Sequence, residues 1–432
     1  MSGRKRIAIY YNVGFGGGRR WLYEVVTRLD RYHDIDLFCI NRSSSGAQYP
    51  DGTDLAQRTD VRTLHDLPRV PGRAGRVLNV PASYADFIRF DRRARALARE
   101  IDARGYDLVF ASIGDYTYAP LILRHLRTPS AYYCHEPMRT VYEPAVPRPY
   151  LRTPRALAPL RAAWRHLSAG YAGLRKAWDA QAARSASVVV VNSEYTRAYA
   201  RRAYGIEPIV NHPGVDVEEF RPRGERPGDF VLSGPGTIIP SKGYDWAIRT
   251  IGAIPAERRP KLVIAGNDED PRERRYLEAV AAACAVEVEV RVGVPDEELK
   301  RLLRTARLML YTPHLEPFGI APLEAMASGT PVVAVDEAGP RETVVDGLTG
   351  FLRERDPATL AEAVDVLLRD NGLRARMSAA ARDRAVSRWT WDLAVGRLAP
   401  MLAEAAEQLR VQGASMDAGE RASHVEATAA RS

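Results

Sequence analysis

Three cysteines in 432 residues, Cys39, Cys134 and Cys284, stand far apart with neither pairing nor metal-ligand spacing. That excludes a disulfide framework and a cysteine zinc site, and it suits a reduced, cytoplasmic setting. No apolar run approaches the roughly 20 residues that cross a bilayer as a helix. The apolar stretch Ile7 to Tyr11, behind the basic start, is too short for a signal-peptide core and reads as a buried strand. Nor does any segment recur at a fixed period. What is present is globular: 46% hydrophobic and 27% charged residues, in a chain too long for one ordinary core. Two domains follow.

The net charge of +8 is concentrated. Between Pro137 and Ser185 lie Arg139, Arg148, Arg152, Arg155, Arg161, Arg165, Arg175, Lys176 and Arg184, against only Glu143 and Asp179. Such a patch calls for an anionic partner, either a phosphate-bearing substrate or the surface of an anionic membrane. No nucleic-acid reader motif accompanies it, which argues against nucleic acid. Five prolines from Pro144 to Pro159 exclude a regular helix there. Directly behind them Leu160, Trp164, Leu167, Tyr171, Leu174 and Trp178 form one face of a helix. Either that face packs on its own domain, or the helix rests on a membrane surface through its basic flank.

Short Val/Ile/Leu/Tyr runs alternate with helical patterns along both halves. In the first half they include Arg6–Tyr11, Ile35–Ile40, Val61–Leu67, Asp107–Ile113, Ala131–His135, Val188–Asn192 and Pro208–His212. In the second they are Phe230–Ser233, Lys261–Ala265, Val286–Val292, Leu308–Thr312, Pro331–Val335 and Gly350–Arg353. Near-continuous apolar strands separated by helices mark parallel sheets covered on both faces, here two doubly wound α/β domains. The expected division is 1–222, with a basic insertion at 137–185, and 223–388. A C-terminal helix over 389–411 is expected to pack back on the first domain, followed by a disordered polar tail, 412–432.

The stretch Leu308 to Leu352 carries the chemistry. A strand leads through Pro313–Gly319 into a helix over Ile320–Ser328, and in a doubly wound sheet that junction lines the ligand crevice. A helix N-terminus offers free N–H groups to a pyrophosphate, and Gly319 lets the backbone approach. Glu316 before the helix and Glu324 one turn inside it both reach one crevice, where carboxylates accept paired sugar or ribose hydroxyls.

The string Glu316-Pro-Phe-Gly-Ile-Ala-Pro-Leu-Glu324, with Glu337-Ala-Gly-Pro-Arg-Glu342 and Val345-Asp-Gly-Leu-Thr-Gly350 behind it, resembles the family-4 retaining glycosyltransferases of the GT-B fold. The bacterial mannosyltransferases are the most similar members. The likeness extends to Gly14-Phe-Gly-Gly-Gly18, His135-Glu-Pro, Val191-Asn-Ser-Glu-Tyr, His212-Pro-Gly-Val-Asp216 and Ser241-Lys-Gly243, an ordered set over most of the chain. It implies two Rossmann-like domains facing across a cleft. Lys242 would meet the growing charge of the donor diphosphate. Glu316 would contact the transferred sugar and Glu324 the ribose, with backbone N–H groups near Phe318, Gly319 and Ile320 completing the cradle. Gly16 and Gly17 would let the first loop close over the phosphates, and His135 would face the reacting sugar.

The resemblance also implies no metal and no cofactor. The donor would be an NDP-sugar, GDP-mannose ahead of a UDP-sugar, and the acceptor a glycan, a lipid-linked glycan or a small molecule. The setting would be cytoplasmic, with peripheral contact to the inner face of a membrane as an option. One departure stands out. Five residues before Lys242, where the family places an arginine, stands Thr237, which can hydrogen-bond a phosphate but brings no charge. Either another arginine, with Arg341 as the candidate, supplies that charge or the donor is held more weakly. A non-catalytic scaffold on the same fold and a soluble natural-product glycosyltransferase are the competing readings.

Overall fold

The computed structural model describes residues 4–12, 17–42, 58–68, 79–151 and 158–407. Seven parallel strands form the first sheet: β1 (Arg6–Tyr10), β2 (Asp34–Arg42), β3 (Arg58–Leu64), β4 (Leu108–Ala111), β5 (Ser130–Cys134), β6 (Val188–Val191) and β7 (Ile209–Val210), in the order β3-β2-β1-β4-β5-β6-β7. Six more form the second: β8 (Phe230–Ser233), β9 (Lys261–Gly266), β10 (Val288–Val292), β11 (Met309–Tyr311), β12 (Val332–Val335) and β13 (Gly350–Arg353), in the order β10-β9-β8-β11-β12-β13. Both orders run outward in opposite directions from a central pair, β1/β4 and β8/β11. Each sheet therefore has a switch point where the loops at the carboxyl ends part and leave a crevice. These are the two Rossmann-like lobes of a GT-B fold.

The period of two along each strand explains why both faces are covered. On β1, Ala8 and Tyr10 enter one core with Phe87, Phe90, Leu97 and Ile101 of α2 (Val80–Ala103). Ile7 and Ile9 enter the other, with Trp21, Val25 and Leu29 of α1 (Gly17–Leu29). The chain's last described helix, residues 391–407, joins this second core through Trp391, Val395, Leu398 and Leu402. It thus leaves the second lobe and packs on the first. On β11, Met309 and Tyr311 face one core and Leu310 the opposite one.

Most strand ends fall within two residues of those expected, and two departures have an identifiable cause. The strand expected at Val61–Leu67 is β3, Arg58–Leu64, because Leu67 leaves the ladder and donates its N–H to the Asp86 carboxylate. Only Ile209–Val210 of Pro208–His212 is strand, since proline cannot donate to a ladder. Pro159 does not lie outside helix as expected: α3 (Ala158–Ser185) holds it in its first turn, where a missing N–H breaks no bond. Along α3, Tyr171, Leu174 and Trp178 pack on the first lobe's core, and the Trp178 ring stands 4.9 Å from that of Phe87. The side chains of Leu160, Trp164 and Leu167, and residues 408–432, fall outside the described set.

Much of the basic segment is turned inward. Arg175 donates to the Tyr116 carbonyl at 2.7 Å and Arg184 to that of Tyr204 at 2.7 Å. Arg148, only 3% exposed, crosses into the second lobe to Glu273 and Asp245. Arg148 and Arg175 thus serve packing, whereas Arg184 bonds to the backbone while exposed. Arg152 and Arg155, and the side chains of Arg161 and Arg165, lie outside the described residues.

Candidate active site

The second lobe's switch point is built from the loops after β8 and β11. After β8 the chain makes a short turn, Pro240–Lys242, that ends at Gly243 with φ +64°. A Cβ on Gly243 would stand 2.1 Å from the Thr312 carbonyl oxygen, so only glycine lets this turn seat against the end of β11. The Thr312 hydroxyl in turn donates to the Gly243 carbonyl at 2.9 Å, and the His314 N–H to that of Ser241 at 2.8 Å. Thus fixed, Lys242 extends its ammonium group to Glu316 at 2.8 Å, a pair with side chains 26% and 15% exposed.

The β11 loop ends at Gly319, whose φ of +91° turns the chain into α8 (Ile320–Ala327). No side chain caps the helix start and no acid stands in its first turn, so its free N–H groups open on the cleft. Glu324, one turn further, is 3% exposed.

The first lobe forms the opposite wall. Arg20 of α1 pairs with Glu324 and lies over the Phe220 ring, 5.3 Å from its centre. Burial raises the Glu324 carboxyl above its ordinary value, and Arg20 opposes the shift. His135, at the carboxyl end of β5, meets the Ser112 hydroxyl through Nε2 at 3.2 Å. Burial alone lowers its pKa to about 4, so the imidazole is neutral at physiological pH. The His135 carbonyl accepts from Asn192 at 2.8 Å, and its ring packs edge-on to Trp21. Beyond it, Arg139 donates to the carbonyls of His314 and Leu315 across the gap and to Glu143 at 2.9 Å. Ser193 adds a further bridge, donating to the Pro317 carbonyl at 2.6 Å.

These walls enclose a cleft of about 860 Å³. Of the residues singled out in the sequence, His135, Thr237, Lys242, Glu316, Phe318, Gly319, Ile320 and Glu324 all line it. Gly17 opens α1, and Gly16 lies outside the described residues. The Thr237 hydroxyl donates to Asn267 at 3.3 Å on the cleft wall. Arg341 is a correction: it is 59% exposed, bonded to Asp336 at 2.7 Å, and lines no part of the cleft. It is therefore not the charge that Thr237 lacks. Arg20, Glu136 and Arg139 line the cleft and were not singled out as site residues. Glu136 and Arg139 adjoin the His135-Glu-Pro triplet, and Arg20 the glycine-rich loop, so position beside a motif was the available signal.

Two family models match adjoining parts of the chain: Glycosyltransferase Family 4 over residues 15–219 and Glycosyl transferases group 1 over residues 216–384. Among curated relatives, the D-inositol 3-phosphate glycosyltransferase of Xylanimonas cellulosilytica is 34% identical over 229 residues, 48% of this chain and 54% of that protein. The GDP-mannose-dependent alpha-(1-6)-phosphatidylinositol monomannoside mannosyltransferase of Mycolicibacterium smegmatis is 33% identical over 247 residues, 50% of this chain and 62% of that protein. The chain thus spans little more than half the length of the curated relatives it matches. Among solved structures, Anabaena HepE in complex with UDP and glucose is similar in fold, with a TM-score of 0.64 at 20% identity over 93% of this chain and 100% of that one. With both lobes matched in order, on two facing Rossmann-like sheets, the chain belongs to the family-4 glycosyltransferases of GT-B fold.

Proposed function

We propose that the protein is a retaining glycosyltransferase that moves a hexose, mannose ahead of other sugars, from a nucleoside diphosphate donor to a hydroxyl acceptor. The observation that carries this reading is the arrangement of Lys242, Glu316 and Glu324 around the open N-terminus of α8. As the glycosidic bond of the donor breaks, negative charge grows on the diphosphate. An ammonium group and a helix N-terminus fixed beforehand stabilise it without reorganising. Lys242 would move from Glu316 to the diphosphate, leaving Glu316 free to accept hydroxyls of the sugar. Glu324 would take the ribose, Phe318, Gly319 and Ile320 would offer backbone N–H groups, and Gly16 and Gly17 would close from the opposite lobe. His135, neutral, would face the sugar as a hydrogen-bonding group.

Preference for mannose is supported by the GDP-mannose-dependent relative, and a UDP-sugar by the UDP bound in HepE. The charge is met by protein groups, so neither metal nor cofactor is part of the reading. A glycan, a lipid-linked glycan or a small molecule would serve as acceptor, in the cytoplasm, with peripheral contact to the inner face of a membrane for a lipid-linked one. Among the described residues no helix is long and apolar enough to cross a membrane.

Incubation of the purified protein with GDP-mannose, UDP-glucose and UDP-GlcNAc, read by mass spectrometry, tests the proposal. Hydrolysis or transfer from one donor is expected, with GDP or UDP binding by calorimetry that weakens in Glu324→Ala. Absence of any nucleotide binding would leave the fold as a scaffold and end the transferase reading.

A further inference from the structure

Several acids that line the cleft have no task in the scheme above, and one of them stands beside His135. Glu136 follows His135 at the end of β5 and lines the cleft together with Lys242 and Glu316. Its side chain is 21% exposed, while its Oε2 is buried with no hydrogen-bond partner. The nearest cation, Arg139, stands 3.7 Å from Oε2, too far for a hydrogen bond, and is itself satisfied by Glu143, His314 and Leu315. The neighbouring acids are engaged: Glu316 by Lys242, Glu324 by Arg20, Glu143 by Arg139. A carboxylate held by one long ion pair and by no hydrogen bond at Oε2 turns about its last torsion at little cost.

We propose that Glu136 takes the proton of the acceptor hydroxyl. The inference rests on the transferase reading and adds the group that activates the nucleophile. In this step the acceptor oxygen bonds to the anomeric carbon on the face from which the diphosphate oxygen departs, as retention requires, and the bond from that carbon to the diphosphate oxygen breaks. The electron pair of the broken bond leaves with the diphosphate, toward Lys242. The acceptor's proton passes to the Glu136 carboxylate and then to water when product leaves.

The surroundings tune this acid for the task. Burial raises the Glu136 pKa to about 7, with Glu316 and Glu143 adding to the rise and Arg139 and Lys242 opposing it. Tyr118, and Tyr195 and Tyr199 of α4 (Glu194–Tyr204), also feel its charge and stay neutral. A base with a pKa near the working pH combines a useful deprotonated fraction with driving force for proton transfer. His135, at about 4, is too weak a base for that role.

The test uses the full chain with GDP-mannose, or the UDP-sugar that donor screening selects, and water as the acceptor. Wild-type donor hydrolysis is expected to rise with pH through about 7 and level off above it. Glu136→Gln should lower the plateau by about 100-fold and remove that acid limb, with GDP affinity within about twofold. In Glu136→Ala, sodium azide, a nucleophile with no proton to lose, should restore turnover by at least about tenfold and give the glycosyl azide. A Glu136→Gln rate within about threefold of wild type, a surviving limb, a large loss of GDP affinity or no azide rescue would each overturn the inference. Wild-type protein that binds no nucleotide would instead overturn the transferase reading beneath it.

Discussion

Arg20, on the first helix of one lobe, pairs with Glu324, on the helix of the other lobe that opens on the cleft. The pair bridges the two walls of the cleft and leaves Glu324 3% exposed. Burial is the larger influence on Glu324, so its folded pKa is above the ordinary value of 4.5. A raised carboxyl pKa favours the fold when the group is protonated, and that contribution is lost as pH rises through the folded value. Arg20→Ala removes the opposing cation and leaves a buried carboxylate alone. The variant should lose about 3 kcal/mol at pH 8 by urea unfolding. At pH 5, where more of the Glu324 carboxyl is protonated than at pH 8, the loss should shrink. Equal losses at both pH values would mean that packing over Phe220, not charge, is what Arg20 contributes.

Lys242 and Glu316 form a partly buried pair open to the cleft, and such solvent-reached pairs contribute about 1 kcal/mol or less to stability. Lys242→Ala should therefore leave the urea midpoint nearly unchanged. If the ammonium group meets the charge that grows on the leaving diphosphate, donor turnover should fall by about 100- to 1,000-fold in the same variant. Lys242→Arg, which keeps the charge but not the shape, should fall between the two. A Lys242→Ala enzyme that turns over donor at the wild-type rate would remove this residue from the chemistry.

The neutral state of His135 gives a direct spectroscopic expectation. With its pKa lowered to about 4 by burial, its ring should show no titration between pH 5.5 and 8 in nitrogen-detected NMR. His135→Asn, which retains a hydrogen-bonding group near Ser112, should keep more donor turnover than His135→Ala. A ring that titrates near 6.5 would place a charged imidazole in the cleft and reverse its role.

The parallel sheets were legible because β-branched runs such as Val188–Val191 are buried on both faces and so lack the alternation of a half-exposed strand. The junction of Glu316, Gly319 and Glu324 was legible because its spacing follows one strand, one loop and one helix. What was hidden came from the other lobe. Arg20 lies 304 positions from Glu324, and no local pattern connects them. The basic segment was legible only in part for a related reason: composition registers charge but not direction. Arg148 and Arg175 count toward a basic patch in the sequence yet end on carboxylates and a carbonyl within the protein.

Arg148 makes the most consequential of these inward contacts. It leaves the proline-rich segment of the first lobe and inserts between α5 (Tyr244–Ala253) and α6 (Pro271–Cys284) of the second. There it binds Glu273 at 2.9 Å and Asp245 at 2.8 Å, lies over the Tyr276 ring, and donates to the Pro240 carbonyl at 3.3 Å. Pro240 begins the turn that carries Lys242, so the latch braces the candidate site as well as the lobes. Glu273 and Asp245 are 0% and 5% exposed, and without the guanidinium two like charges would share a dry pocket. Arg148→Met should thus cost about 3–5 kcal/mol in urea unfolding at pH 8, and less at pH 5. Burial raises the Asp245 pKa, and a carboxyl whose charged form is disfavoured suffers less from loss of the cation as pH falls. The triple variant Arg148→Met, Asp245→Asn, Glu273→Gln removes all three charges and should recover most of the loss. If it recovers none, the segment is held by its prolines and by Tyr150, which donates to Glu273 at 2.5 Å, rather than by the arginine's charge.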